Sequence, residues 1–127
     1  MTSQLKVDKL QGRTTAGSIT VTGEGTSAET NLQQGLCKVW IKTPQDGASI
    51  SDSFNVSSAT DSATGQVIVN INNDMANADY AIGMSTVTNV DQTLIVSDAT
   101  GSYDMRTWNG SAYVDIGMRT IVAGDLA

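Results

Sequence analysis

A tryptophan, an arginine and a tyrosine lie close together near the end of the chain, in the stretch 103–116 that reads YDMRTWNGSAYVDI. Its centre, Asn109-Gly110, is the strongest short signal for a β-hairpin, because a type I′ turn needs a positive φ at both central residues. Pairing outward from this turn puts Trp108 opposite Ser111. We expect one face to point inward, with Tyr103, Met105, Thr107, Ala112, Val114 and Ile116. The other face presents Asp104, Arg106, Trp108, Ser111, Tyr113 and Asp115.

The outward face of this hairpin suits three kinds of contact. Aromatic rings stack on the C–H face of a sugar while arginine and aspartate bond its hydroxyls, so Arg106, Trp108 and Tyr113 are the candidate ligand-binding residues for a glycan. The same residue types anchor protein interfaces, which leaves a contact between subunits open. The third alternative is structural: Arg106 bridges the two aspartates and lies over Tyr113 or Trp108, stabilising the hairpin.

Catalytic and metal-binding groups are scarce in this sequence. Histidine is absent and Cys37 is the single cysteine, so a serine or cysteine nucleophile activated by histidine cannot be built. The aspartates lack the spacing of an EF-hand loop, although a weak calcium site among surface turns stays open. We expect a non-enzymatic protein with no catalytic residues, no metal and no cofactor. A small polysaccharide-degrading enzyme, which needs two converging carboxylates, is the remaining alternative from another class.

The charge and the apolar content of the chain limit the kinds of partner that it can bind. The net charge is −6 and the seven basic residues are scattered singly, which speaks against nucleic-acid binding. A single cysteine excludes an internal disulfide, and we expect Cys37 to be a small buried hydrophobic residue. Neither a secretory signal nor a long apolar run is visible, so we expect synthesis in the cytoplasm and no membrane insertion.

The apolar residues alternate with polar ones in short runs, a pattern typical of β-strands with one buried face. Amphipathic strands are predicted around Leu5 and Val7, around Ile19 and Val21, and around Val39 and Ile41. Further strands are predicted at 53–57, 66–72, 80–88, 93–97, 103–108, 111–116 and 119–122. One short helix is predicted within 27–34, capped by Ser27, Thr30 or Asn31 and ended at Gly35. The fold class is therefore predicted to be all-β.

Two of the predicted strands carry apolar residues on both faces. Ile68 points away from the apolar residues on either side of it, and Leu94 and Val96 point away from Ile95. Either such strands lie between two sheets or their outer side meets another subunit.

The first 35 residues differ from the rest of the chain because they contain few large apolar groups and many glycine and threonine residues. A two-stranded element alone is marginally stable in water, so this segment should pack against a partner. We therefore predict an N-terminal docking and oligomerisation arm at 1–35 and a β-sandwich domain at 36–127.

Several segments together resemble a known family. They are SQLKVDKLQGR, NLQQGLCKVWIK, DSFNVSSATDSATGQVIVNINNDMANADYAI and the later WNGSAYVDIG. This combination is similar to the tail-fibre and virion-surface β-sandwich modules of marine bacteriophages, especially cyanophages. The resemblance implies a compact antiparallel β-sandwich with an extended N-terminal arm, assembled as a homotrimer. It also implies a location in the virion, assembly in the host cytoplasm, contact with other virion proteins through the arm, and contact with host surface glycan.

The length of the chain raises an alternative within the same resemblance. Fibre proteins are typically far longer, whereas this sequence opens at Met1 and has 127 residues. A short protein built on the same module is expected to act as a capsid decoration or head-fibre protein, with an architectural role.

Overall fold

The computed structural model describes residues 4–15, 18–23, 25, 27–44, 49–90 and 92–127. The chain divides into two compact units, Met1–Leu36 and Cys37–Ala127. Within the described residues every sheet is antiparallel and the one helix is a single turn, which confirms the predicted all-β class. No helix in this part of the chain is long and apolar enough to cross a membrane.

The first unit contains a two-stranded sheet and the short helix. Strand β1 (Thr20–Thr22) pairs with β2 (Glu29–Asn31), and helix α1 (Leu32–Gly35) follows at once. The side chain of Asn31 caps this helix by accepting hydrogen bonds from two backbone amides, those of Gln33 at 2.8 Å and Gln34 at 3.3 Å. Of the three predicted caps, Asn31 is therefore confirmed, as is the end of the helix at Gly35.

The strand predicted around Leu5 and Val7 is wrong. Residues 4–7 have no strand conformation, and Leu5 is 81% exposed. Alternation shows only that a segment could present an apolar face, and a strand also needs a neighbour to pair with its backbone.

The second unit is built from two four-stranded sheets. Its strands are β3 (Val39–Lys42), β4 (Asp52–Phe54), β5 (Val56–Ala63), β6 (Gln66–Ile71), β7 (Ala81–Thr86), β8 (Gln92–Ala99), β9 (Ser102–Trp108) and β10 (Met118–Ala123). The strand order is β4-β3-β10-β7 in one sheet, called the β3 sheet, and β5-β6-β9-β8 in the other, called the β9 sheet. Strands β6 to β10 confirm the predictions at 66–72, 80–88, 93–97, 103–108 and 119–122, with ends that shift by one or two residues.

The core lies where the buried faces of both sheets contribute to one hydrophobic cluster. Alternate residues of β6 and β10 are buried, as the period of two requires. The cluster comprises Val39, Ile41, Val67, Val69, Ile71, Met75, Tyr80, Tyr103, Met105, Met118 and Val122. Each such side chain contributes roughly 1.5–3 kcal/mol when it is removed from water. Cys37, expected to be buried, is half-buried, and its thiol donates to the carbonyl of Val39 at 3.2 Å.

Tyr103 places a hydroxyl in this core. The residue is 1% exposed, and its hydroxyl lies 2.5 Å from Thr120 Oγ1. Burial raises the pKa of Tyr103 to about 12, and the hydrogen bond with Thr120 opposes this shift. A second tyrosine, Tyr80, has its pKa raised by burial and then by the charge of Asp98.

The strand predicted at 53–57 is two strands with a corner between them. Asn55 separates β4 from β5, and there the chain leaves the β3 sheet and enters the β9 sheet. Its φ is 58°, the left-handed region that asparagine tolerates better than most residues. The Asn55 amide donates to the carbonyls of Lys38 and Asn73, both at 3.1 Å, and accepts from the Asn73 backbone amide at 2.8 Å.

Candidate functional site

Strand β9 positions two of the three candidate ligand-binding residues. In it, Tyr103, Met105 and Thr107 are buried, as predicted for the inward face. Arg106 and Trp108 alternate with them and are partly exposed on the other face of the β9 sheet. Arg106 lies opposite Gln66 of β6 and Leu94 of β8 in the pairing register.

The predicted hairpin register after β9 is wrong. Trp108 bridges to Tyr113 instead of Ser111, and the stretch 111–116 has no strand beyond this one bridge. Gly110 has a φ of 89°, but among the described residues Asn55 is the one non-glycine with a positive φ, so Asn109 does not adopt the type I′ geometry.

The physical reason lies in the side chain of Asn109. Its carbonyl oxygen accepts from the backbone amides of Ser111 at 3.0 Å and Ala112 at 2.9 Å. Asparagine side chains often satisfy the amides that follow them in this way and so favour wider loops. The backbone amide of Asn109 donates to the Ala112 carbonyl at 3.1 Å. Ala112, predicted to point inward, is exposed.

The wider loop still brings the three candidate residues together. The rings of Trp108 and Tyr113 meet edge to face, with centroids 5.1 Å apart and planes at 72°. The guanidinium carbon of Arg106 lies 5.2 Å from the centroid of the Tyr113 ring. Both geometries fall in the attractive range for aromatic and cation–π contacts. We name this group of Arg106, Trp108 and Tyr113 the aromatic cluster.

Arg106 takes a glutamine as its polar partner, and no ion pair joins it to Asp104 or Asp115 within the described part of the chain. Its Nε donates to Gln66 Oε1 at 2.6 Å, and its Nη2 donates to the same oxygen. The Gln66 amide in turn donates to Asp104 Oδ2. The predicted bridge between two aspartates is therefore replaced by a chain from Arg106 through Gln66 to Asp104.

Asp104 is buried, although the period of two placed it on the exposed face. It is 8% exposed, and no described residue donates a hydrogen bond to its Oδ1. Strand β8 has a register shift between Ile95 and Ser97, and Ser97 lies opposite Asp104. A bulge of this kind adds a residue to one strand and bends it, which the sequence pattern does not reveal.

Gly65 supports the loop that carries Tyr113. Its φ is 70°, and a Cβ there would lie 2.7 Å from the Val114 backbone nitrogen and 2.9 Å from the Thr107 carbonyl oxygen. The amide of Gly65 donates to Asp115 Oδ1 at 2.5 Å, and its carbonyl accepts from the amide of Thr107 at 3.0 Å. The turn between β5 and β6 thus packs backbone to backbone against the loop after β9.

The sequence pattern does not identify either supporting residue, Gln66 or Gly65, as part of this site. Gly65 carries a weak signal, since a glycine between two strands often marks a positive φ. Gln66 carries none, because its role depends on which strand pairs with β9.

The outer side of the β9 sheet also carries apolar groups. Leu94 is 42% and Val96 46% exposed, while Ile95 packs against the core. The predicted two-sided apolar strand is therefore confirmed for β8.

The described residues contain no group of three or more acidic, cysteine or histidine side chains that could hold a metal ion. In comparisons with protein-family models, curated proteins and solved structures, nothing matched this chain.

Proposed function

We propose that this chain is a non-enzymatic structural protein of a bacteriophage virion, of fibre or tip type. In this proposal it displays a compact antiparallel β-sandwich as a homotrimer and contacts glycan on the host surface, while residues 1–35 dock it to other virion proteins. The observation that carries the proposal is the exposure of large apolar side chains on the outer sides of both sheets, Leu94 and Val96 on the β9 sheet that also carries the aromatic cluster, and Phe54 and Ile121 on the β3 sheet. Large apolar groups on a small body favour association. The sequence resemblance supports the phage setting.

The aromatic cluster is the proposed glycan contact. Tyr113 is 40% exposed, and Arg106 and Trp108 are partly exposed beside it, so aromatic surface and guanidinium donors are both accessible. The edge-to-face and cation–π contacts hold these side chains in place, which reduces the entropy lost on binding. The same contacts also fit a purely structural role. A binding experiment must therefore distinguish glycan recognition from stabilisation of the loop.

Glycan-array binding separates these roles. We expect the wild-type chain to bind a defined set of glycans and Trp108→Ala to lose at least roughly tenfold in affinity, as expected for a central aromatic contact. Thr60→Ala is the control, because Thr60 is exposed on β5 and β6 separates it from β9, and this variant should keep the profile. A blank wild-type array, or equal binding by Trp108→Ala, would leave the cluster with its structural role alone.

The position on the particle distinguishes a fibre or tip protein from a capsid decoration protein. Gold-labelled antibody against this chain, imaged on intact particles, should mark the tail. Label over the icosahedral shell and none at the tail would favour the architectural capsid role instead. The non-enzymatic part of the proposal is tested by incubating the chain with host polysaccharide, and release of reducing ends would contradict it.

A further inference from the structure

The outer side of the β3 sheet carries a row of apolar side chains on three neighbouring strands, β4, β3 and β10. Phe54 lies opposite Trp40, Trp40 opposite Ile121, and Ile121 opposite Gly83. Phe54 is 51% and Ile121 55% exposed, and Trp40 between them is partly exposed. Because these positions are neighbours in the pairing register, they form an apolar surface on the outer side of the sheet.

A second row, two residues along each strand, carries charge. Asp52 lies opposite Lys42, Lys42 opposite Arg119, and Arg119 opposite Ser85, and all four residues are exposed. Like charges directly opposite each other in a sheet are destabilising. No described residue forms a hydrogen bond or ion pair with the Lys42 or Arg119 side chain. The row thus holds two adjacent cations available to an outside partner. We name Trp40, Phe54, Ile121, Lys42 and Arg119 together the β3-sheet patch.

This pair of cations stands out in an acidic body. Residues 37–127 contain four basic and ten acidic residues. Of the other two basic residues, Lys38 is buried and Arg106 is bonded to Gln66. A second copy of the chain therefore offers an excess of carboxylates to the two cations of the β3-sheet patch, which have one exposed carboxylate, that of Asp52, in their own row.

One region of the second unit is complementary to the β3-sheet patch, because it carries the opposite charge and an exposed apolar side chain. The C-terminal residues pair with the turn after β6: Met75 bridges to Leu126, and the amide of Ala127 donates to the Asp74 carbonyl at 2.9 Å. Leu126 is 43% exposed there. The exposed carboxylates of this region belong to Asp74, Asp79, Asp98 and Asp125. We name these four aspartates and Leu126 the acidic end.

We propose that the β3-sheet patch of one copy binds the acidic end of a second copy. A patch that faced another patch would bring Lys42 and Arg119 of both copies together, which like-charge repulsion disfavours. Contact between two different surfaces is head-to-tail, and such contacts form a closed ring when the rotation between copies allows it. In this contact the apolar row covers Leu126 and the two cations face the aspartates. The inference rests on the proposed homo-oligomer and supplies its interface.

Charge reversal with rescue tests the interface in the full-length chain. Light scattering at tens of micromolar should give an oligomeric mass for the wild type. The double variant Lys42→Glu with Arg119→Glu should weaken association at least roughly tenfold, as should Asp74→Lys with Asp79→Lys. Combining all four changes in one chain should restore the oligomer. The matched control, Leu94→Ser with Val96→Ser on the β9 sheet, should keep the wild-type mass.

The outcomes separate this interface from the proposed oligomer itself. If the charge variants keep the wild-type mass while the Leu94 and Val96 control becomes monomeric, the oligomer stands and the β3-sheet patch is not its interface. Failure of the combined variant to reassociate, with its β-sheet circular dichroism intact, also overturns the inference. A monomeric wild-type chain removes both the oligomer and this interface. It leaves the Trp108 glycan test unaffected. If that monomer binds glycan and the Trp40→Ala variant does not, the β3-sheet patch is a sugar-binding surface instead.

Discussion

The guanidinium of Arg106 faces the ring of Tyr113 across a four-residue loop, with 5.2 Å between the guanidinium carbon and the ring centroid. Arg106 is fixed from one side by Gln66 and from the other by this ring. The contact therefore joins strand β9 to a segment that has a single bridge of its own.

A double-mutant cycle measures the strength of this contact. We expect Arg106→Ala and Tyr113→Ala to show a coupling free energy of about 0.5–1 kcal/mol in urea unfolding, since cation–π contacts at partly exposed sites have this size. Arg119→Ala paired with Tyr113→Ala is the control, and it should be additive because Arg119 lies on the other sheet. Additivity in the Arg106 cycle would show that the contact contributes nothing to stability.

Gly65→Ala should destabilise the second unit by about 2–4 kcal/mol. The left-handed φ alone costs an alanine roughly 1–2 kcal/mol, and overpacking costs a similar amount again. The clash is with backbone atoms of Val114 and Thr107, which cannot rotate away. Gly83→Ala is the control because its Cβ would meet one methyl group, at 3.2 Å. Similar urea midpoints for the two variants would contradict this account of Gly65.

The contribution of Asn55 to stability can be divided into a backbone part, from its positive φ, and a side-chain part, from its hydrogen bonds. Asn55→Gly keeps the positive φ and loses the hydrogen bonds to Lys38 and Asn73, whereas Asn55→Ala loses both. We expect the alanine variant to be less stable than the glycine variant by about 1 kcal/mol. Both variants should be less stable than the wild type in thermal unfolding. The order is reversed at ordinary strand positions, where glycine is the worse residue. An alanine variant as stable as the glycine variant would show that the corner relaxes.

Alkaline pH should unfold the protein through Tyr103. Its folded pKa of about 12 exceeds the ordinary value of 10.0, so the unfolded state loses its proton first. The stabilisation is therefore complete below pH 10 and is lost as the pH rises from 10 to 12, by about 3 kcal/mol. Tyr103→Phe should reduce this loss in urea titrations at pH 8 and pH 11. A residual dependence is expected from Tyr80, whose pKa is raised as well.

The sequence predicts most of the strands because alternation is strong wherever one face is buried. Strands β6, β9 and β10 follow it closely. Strand β5 was predicted only at its first residues, because its later part is a run of exposed serine, threonine, alanine and aspartate held by pairing with β6. Although β6 follows β5 after a two-residue turn, the exposed part of β5 has no apolar alternation, so this part of the strand can be found only once its pairing with β6 is known.

The aromatic cluster was predicted as a set, but its geometry was not. Period-two spacing was sufficient to place Arg106 and Trp108 on one face, and a short loop was sufficient to return Tyr113 to them. The register depended on whether Asn109 uses its backbone or its side chain to close the loop, and both choices suit the same dipeptide. The burial of Asp104 accompanies an extra residue in β8, so the sequence of β9 alone does not predict it.

Strand β10 lies in the middle of the β3 sheet, between β3 and β7, and pairs residues 119–122 with residues 39–42. A ribosome must therefore complete almost the whole second unit before β3 and β7 acquire the strand that joins them. Contacts between such distant residues slow folding, because the loop entropy is lost before the pairing is gained. Until β10 emerges, the inward faces of β3 and β7 are open to other nascent chains of the same protein. Premature pairing at these two strands is therefore the misassembly that the order of synthesis favours.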